Sequence, residues 1–240
     1  MLDPRICVIE KRLSQIKDVI AVSGGKGGVG KSTVASLLAL FLSVKKKSVG
    51  LFDLDFYGPS TQLILGIDGV KIEERMGVIP PQWRGISYMS ISLFTKGNPL
   101  PIRGKDISNV IMELLSVTLW NGLDYLILDM PPGTGESLLD VLRLIRRTSF
   151  LLVSTPSRVA HEVLKKELAI LKRKKIHVLG VIENQRRDFK NSNLQTDIDV
   201  PLIGTLPYDE KFESAIGIPE AIMKTDLYLS LERTLENVFT

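Results

Sequence analysis

The chain has one cysteine in 240 residues. A single thiol excludes an internal disulfide, and it excludes a metal centre built from several cysteines of one chain. It fits a reducing cytoplasm, the expected location. There are two histidines, His161 and His177. Neither has a second histidine or a cysteine at ligand spacing, so both are expected to be ordinary packing or solvated residues. No stretch approaches the ~18 consecutive apolar residues of a membrane span. The start, Met1-Leu2-Asp3-Pro4-Arg5, leads into no hydrophobic segment with a cleavage site. Charge of one sign is lacking too. With 31 basic against 27 acidic residues the net charge is +4, which demands no polyanionic partner. No aromatic residue interleaves the basic run Lys172-Arg173-Lys174-Lys175, so nucleic acid is not expected as a partner.

What is abundant is apolar residues. They make up 44% of the chain, enough for a large core. Apolar β-branched runs alternate with longer helical patterns, the rhythm of βαβ units and a mostly parallel sheet between helices. The expected organisation is a helical arm over residues 1–17 and one α/β domain over residues 18–240. In the arm, Val8, Ile9, Leu13 and Ile16 are expected near one face, and Cys7 is read as a small packing residue. Helices are expected over 107–119, 138–147 and 158–174. Strands are expected over 86–91, 150–154, 178–183 and 202–206. The last helix, from residue 226, has too few basic residues for a membrane surface and is expected to pack on the domain. Residues 66–101 are dense in turn signals and read as an insertion or lid.

The chain is organised around Ser23-Gly24-Gly25-Lys26-Gly27-Gly28-Val29-Gly30-Lys31-Ser32-Thr33. Gly25 to Ser32 fit G-x-x-x-x-G-K-[ST], between a strand-like Val19-Ile20-Ala21-Val22 and a helix-like apolar run. Glycines let the backbone approach a phosphate closely. Successive N–H groups form an anion nest, and the following helix adds its positive end. Lys31 is expected on the β- and γ-phosphates, and Ser32 as a direct Mg²⁺ ligand. A second cation, Lys26, stands inside the loop and would oppose Lys31 unless a polyanion lay between them.

Two acidic strand ends complete the pattern. Val49, Leu51 and Phe52 form a strand expected beside the first, with Asp53 and Asp55 at its carboxyl end, where α/β sheets bind ligands. Alternation places both carboxylates on one side if the strand runs that far. Leu126-Ile127-Leu128-Asp129 is an apolar run ending in a carboxylate, the Walker B pattern. Gly133 follows two prolines and can offer an unshielded N–H to a γ-phosphate.

Three strings together resemble the Mrp-type branch of the MinD/ParA superfamily. They are Gly25 to Thr33 with its extra lysine, Asp53-Leu54-Asp55-Phe56-Tyr57-Gly58-Pro59-Ser60, and Asp129-Met130-Pro131-Pro132-Gly133-Thr134-Gly135-Glu136. Weaker echoes are Arg103-Gly104, Trp120, Thr155-Pro156 and Gly180-Val181-Ile182-Glu183-Asn184. The resemblance implies a three-layer P-loop NTPase fold and a slow cytoplasmic ATPase that binds ATP or ADP with Mg²⁺. Residues Gly25, Lys26, Gly27, Gly28, Val29, Gly30, Lys31, Ser32, Thr33 and Gly133 would hold the phosphates. Asn184 would recognise adenine, and Pro207 would lie against the base. Asp55 would orient the attacking water, and Asp53 and Asp129 would act on Mg²⁺ through its waters. Lys26 would cross a homodimer interface to the partner's nucleotide. The branch carries or assembles iron–sulfur clusters through a Cys-x-x-Cys pair soon after the Glu-Asn string. Here that stretch reads Gln185-Arg186-Arg187-Asp188-Phe189-Lys190-Asn191-Ser192-Asn193, without cysteine. A carrier or a partner in metallocofactor assembly is therefore expected, holding no stable cluster itself. A ParA- or MinD-like positioning ATPase is the alternative.

Overall fold

The computed structural model describes residues 3–95, 105–133, 135–187 and 198–239. Gly97, Pro99, Pro101, Arg103-Gly104, Thr134 and the cysteine-free stretch from Asp188 to Asn193 lie outside the described residues.

The chain starts with α1 (Pro4–Leu13), whose first turn is capped by Asp3, with Pro4 at the start. Ile9 and Leu13 are buried, but Val8 turns outward and is exposed. Then come β1 (Asp18–Ser23), α2 (Lys31–Val44), β2 (Val49–Asp53) and α3 (Thr61–Leu65). Short strands β3 (Glu73–Glu74), β4 (Val78–Ile79) and β5 (Gln82–Trp83) lead to β6 (Ile86–Ser90) and α4 (Ser92–Thr95). After α5 (Lys105–Val117) the alternation resumes with β7 (Tyr125–Asp129), α6 (Glu136–Leu144), β8 (Thr148–Ser154), α7 (Arg158–Arg173), β9 (Val178–Arg186) and β10 (Leu202–Pro207). Three helices close the chain: α8 (Glu210–Ala215), α9 (Pro219–Ile222) and α10 (Asp226–Phe239).

The main sheet runs β10-β9-β8-β1-β7-β2-β6-β5, parallel throughout except for the edge pair β5–β6. Side chains alternate between its two faces. Ile20, Val22, Leu51 and Ile127 pack with α2 and α10, whereas Val19, Ala21, Phe52 and Leu128 pack with α1, α5 and α6. Buried on both faces, the central strands read as nearly continuous apolar runs. The result is the three-layer α/β fold expected.

One expectation is corrected. β2 is not beside β1, because β7 lies between them and pairs with both. Local pattern shows that these segments are strands but carries no information on which crossover returns to which edge. Within residues 66–95, the strand expected over 86–91 is present as β6. The five residues of β6 are all buried, and they extend the sheet parallel to β2. The glycines and prolines there punctuate short strands.

α10 packs as expected, burying Leu227, Leu231 and Leu235. Lys45 caps the carboxyl end of α2, where a cation is favoured, and pairs with Glu236 at 2.6 Å.

Candidate nucleotide site

β1 delivers the loop at its carboxyl end, and α2 begins at Lys31 immediately after it. Gly25, Gly28 and Gly30 have φ of 55°, 79° and 93°, which L side chains rarely adopt. Gly24 is required for another reason: a Cβ there would stand 2.1 Å from the Val153 carbonyl oxygen. A cavity of about 360 Å³ opens over the loop. Gly27, Lys31, Ser32 and Thr33 line one side of it, and Asp55, Pro132 and Gln185 close on it from other segments.

Lys31 is buried, 6% exposed, and its ammonium donates to the Lys26 carbonyl at 3.0 Å. Burial pushes its pKa down, and the carboxylates of Asp129, Asp55 and Glu167 pull it back up. Lys26 is exposed.

The position of β7 sets the acidic side. Asp129 is in register with Val22 of β1 on one side and Asp53 of β2 on the other. Neighbouring parallel strands lie about 4.8 Å apart, so two fully buried carboxylates stand side by side. Asp53 is well supplied. It accepts from Thr61 Oγ1 at 2.7 Å, from the Thr61 N–H at 3.2 Å and from the Asp55 N–H at 3.0 Å. Burial still pushes it up to about 6. Among the described residues, neither oxygen of Asp129 has a hydrogen-bond partner. Burial and then the Asp53 charge raise it well above the usual carboxylate range, against the pull of the nearby Ser32 hydroxyl and Lys31. Two orphaned carboxylate oxygens beside a serine hydroxyl at a phosphate loop suit a hydrated divalent cation.

β2 ends at Asp53, so the proposed alternation does not reach Asp55. The chain turns there instead: Asp55 accepts from the N–H groups of Tyr57 and Gly58, and faces the cavity. Asn184 is buried, and its amide donates to the Val29 carbonyl at 3.0 Å, bracing the loop from behind. Gly133 has φ 99° and open space around it. Pro207 ends the edge strand β10, opposite Arg186, which follows the cavity-lining Gln185; Pro207 itself is not among the residues lining the cavity.

Two residues escaped the sequence reading. Glu167, on α7, is fully buried under the loop. It accepts a hydrogen bond from the Ser23 hydroxyl and lies against Gly25. Burial raises its pKa, opposed by Ser23, then Lys31 and Gly25. Helical spacing puts Glu167 with Leu164 and Leu171 on the inner face, which was the available signal. Gln185 has φ 61° and donates to the Gly28 carbonyl at 3.0 Å. Its neighbourhood holds a buried Glu183–Arg186 ion pair and Arg187 stacked 4.3 Å over the Tyr208 ring.

A parallel sheet, a glycine loop at the strand-to-helix turn and a carboxylate on the adjacent strand define a P-loop NTPase of MinD/ParA-like fold. A family model for ParA-type proteins, described as the NUBPL iron-transfer P-loop NTPase, matches residues 15–238, and the chain belongs to that family. An iron-sulfur cluster carrier protein of Rickettsia conorii is 37% identical over 229 residues, 93% of this chain and 71% of that one. A cytosolic Fe-S cluster assembly factor, a Nubp2 homolog of Drosophila simulans, is 33% identical over 88% of this chain and 90% of its own length. Among solved structures, a nucleotide-binding protein of Archaeoglobus fulgidus in complex with ADP superposes with a TM-score of 0.77 at 31% identity, covering 93% of this chain and 95% of that one. The septum site-determining protein MinD of Pyrococcus horikoshii, complexed with Mg-ADP, gives 0.67 at 21% identity over 93% and 96%, a likeness of fold.

Proposed function

We propose that this chain is a Mg²⁺-dependent ATPase acting as a nucleotide-gated homodimeric switch, a carrier or a partner in iron–sulfur cluster or metallocofactor assembly in the cytoplasm. The observation that carries it is the buried Lys31 and the buried Asp129, whose oxygens have no hydrogen-bond partner among the described residues, facing one glycine loop. Either residue alone would be costly to bury; ATP and a hydrated cation between them satisfy both. The iron–sulfur names of its relatives at 33–37% identity support the pathway.

In this reading the loop N–H groups and Lys31 cradle the β- and γ-phosphates. Mg²⁺ bound with ATP would offset phosphate charge, held directly by Ser32 and through water by Asp53 and Asp129. Asp55, at the cavity wall, orients a water toward the γ-phosphorus. That bond forms as the bond to the β–γ bridging oxygen breaks, giving ADP and phosphate. Lys31 and the loop meet the developing charge, and Lys26, exposed in the isolated chain, completes the site in the partner copy. Asn184 leaves the Val29 carbonyl to read adenine, with Pro207 against the base.

The test is Lys31→Ala beside Lys26→Ala. Lys31→Ala is expected to abolish ATP binding or turnover. Lys26→Ala is expected to keep ATP binding and lose nucleotide-driven dimerisation and turnover. Unchanged affinity and turnover in Lys31→Ala would overturn the reading.

A further inference from the structure

The segment between β2 and α3 carries two residues that line the nucleotide cavity, Asp55 and Ser60. Both ends of that segment are tied to one side chain. The Asp53 carboxylate accepts from the Asp55 N–H on one oxygen, and from the Thr61 N–H and hydroxyl on the other. Asp53 ends β2, whose five residues are all buried, so the segment hangs at both ends from a fixed point of the sheet. The Asp55 carboxylate is then aimed by the N–H groups of Tyr57 and Gly58 within the turn.

The tie to Thr61 has a second support, from β6. Tyr88 is fully buried there, and its hydroxyl stands 3.0 Å from Thr61 Oγ1. Parallel register sets Tyr88 beside Leu51 and Ser90 beside Asp53, all four on one face of the sheet. An ionised carboxylate only accepts, so the Thr61 proton goes to Asp53 and the Thr61 oxygen takes the proton of Tyr88. The next residue of α3 is held from the same strand end. Ser92 Oγ donates to Gln62 Oε1 at 2.8 Å, and the Ser92 N–H donates to Ser90 Oγ at 3.2 Å. For packing alone, phenylalanine would fill the Tyr88 position. A buried phenol needs a partner, and the partner here is the hydroxyl that serves Asp53.

We propose that Tyr88 is a positioning residue for Asp55: acting through Thr61, it locks the first turn of α3 to Asp53, and so fixes the segment that presents Asp55 at the cavity wall. The inference rests on the reading of Asp55 as the group that orients the attacking water. Thr61 and Tyr88 are not among the residues lining the cavity, so they act through Asp53 and the segment rather than on the nucleotide. Loosening the clamp leaves the phosphate loop untouched and spreads Asp55 over several placements, which costs turnover rather than nucleotide binding.

Tyr88→Phe, Thr61→Val, Thr61→Ser and Asp55→Asn are made in the full-length chain, with folding checked by thermal melting. Amide hydrogen exchange without nucleotide reads the clamp directly. The Asp55 and Thr61 amides are expected to exchange about tenfold faster in Tyr88→Phe and Thr61→Val, with the β7 amides of Leu126, Ile127 and Leu128 unchanged. With Mg·ATP, the same two variants are expected to lose about tenfold in kcat while ATP affinity stays within about threefold of wild type. Thr61→Ser keeps the hydroxyl and is expected to match wild type in both measurements. Wild-type exchange in Tyr88→Phe and Thr61→Val, loss of ATP affinity in step with kcat, or unchanged kcat in them while Asp55→Asn is inactive overturns the inference and leaves the reading of Asp55 standing. Wild-type turnover in Asp55→Asn overturns that reading and the inference with it. If Tyr88→Phe does not fold, Thr61→Val against Thr61→Ser decides on the same readouts.

Discussion

Three buried carboxyls sit around one loop, and burial raises the pKa of each: Asp53, Asp129 and Glu167. Folded protein therefore binds more protons than unfolded protein between the unfolded and folded values. Stability from these groups is full below about pH 4 and lost as pH rises. For Asp53 the window runs from 3.8 to about 6. That shift is on the order of 3 kcal/mol. Nucleotide-free protein is expected to melt at lower temperature at pH 7 than near pH 5, and Asp129→Asn to flatten the slope. A melting temperature rising steadily over that interval would refute the assignment. Glu167 makes a distinct residue-scale prediction. Glu167→Gln keeps an acceptor for Ser23 and should leave nucleotide affinity within about threefold. Glu167→Ala removes the acceptor and opens space beneath Gly25, costing about 1–3 kcal/mol in stability. Loss of nucleotide affinity of tenfold or more is expected with it, as read by titration of labelled ADP.

The central elements depend on close approach. Gly50 on β2 leaves room for Trp120, Leu123 and Leu126, whose atoms would stand 2.6–3.0 Å from a Cβ. Gly50→Ala is expected to destabilise by about 1–3 kcal/mol through overpacking, measured by denaturant unfolding. This glycine had no sequence signal, whereas the loop glycines did, because a phosphate-binding motif fixes their spacing and tight packing across a sheet does not. The same contrast runs through the whole reading. Apolar periodicity made the central strands and the longer helices legible to within a few residues, while the short β3–β5, α3, α4, α8 and α9 had no such signal, and strand-end chemistry pointed to Asp53, Asp55 and Asp129. Strand order was not legible, since the insertion of β7 between β1 and β2 is decided by long-range packing. That order places Asp129 next to Asp53, so the strongest electrostatic feature of the site was hidden until the sheet was assembled. Glu167 was hidden similarly, as one acid in a helix of mixed charge.

At the scale of the whole molecule, two surfaces bear on the switch. Lys26 projects from the loop into solvent, and Tyr57 and Leu63 are exposed beside the Asp55 turn. Two facing copies would give Lys26 the phosphate charge that Lys31 alone does not exhaust. Sedimentation is expected to give a monomer without nucleotide and a dimer with a non-hydrolysable ATP analogue, and a monomer in both conditions would count against the switch. Cargo is a separate matter, because cluster ligation needs several thiolates. Each copy supplies one, Cys7, which is exposed on α1. α1 precedes the amino end of β1, whereas the loop and Lys26 follow its carboxyl end. A dimer closed over the nucleotides by Lys26 would therefore not bring two Cys7 thiols together at that interface. We expect the purified protein to retain no stable cluster, with a cysteine-bearing partner holding the iron and sulfide. Anaerobic reconstitution followed by optical and electron-paramagnetic spectra tests this directly. A stoichiometric cluster that survives desalting and is lost in Cys7→Ser would place the cargo on this chain.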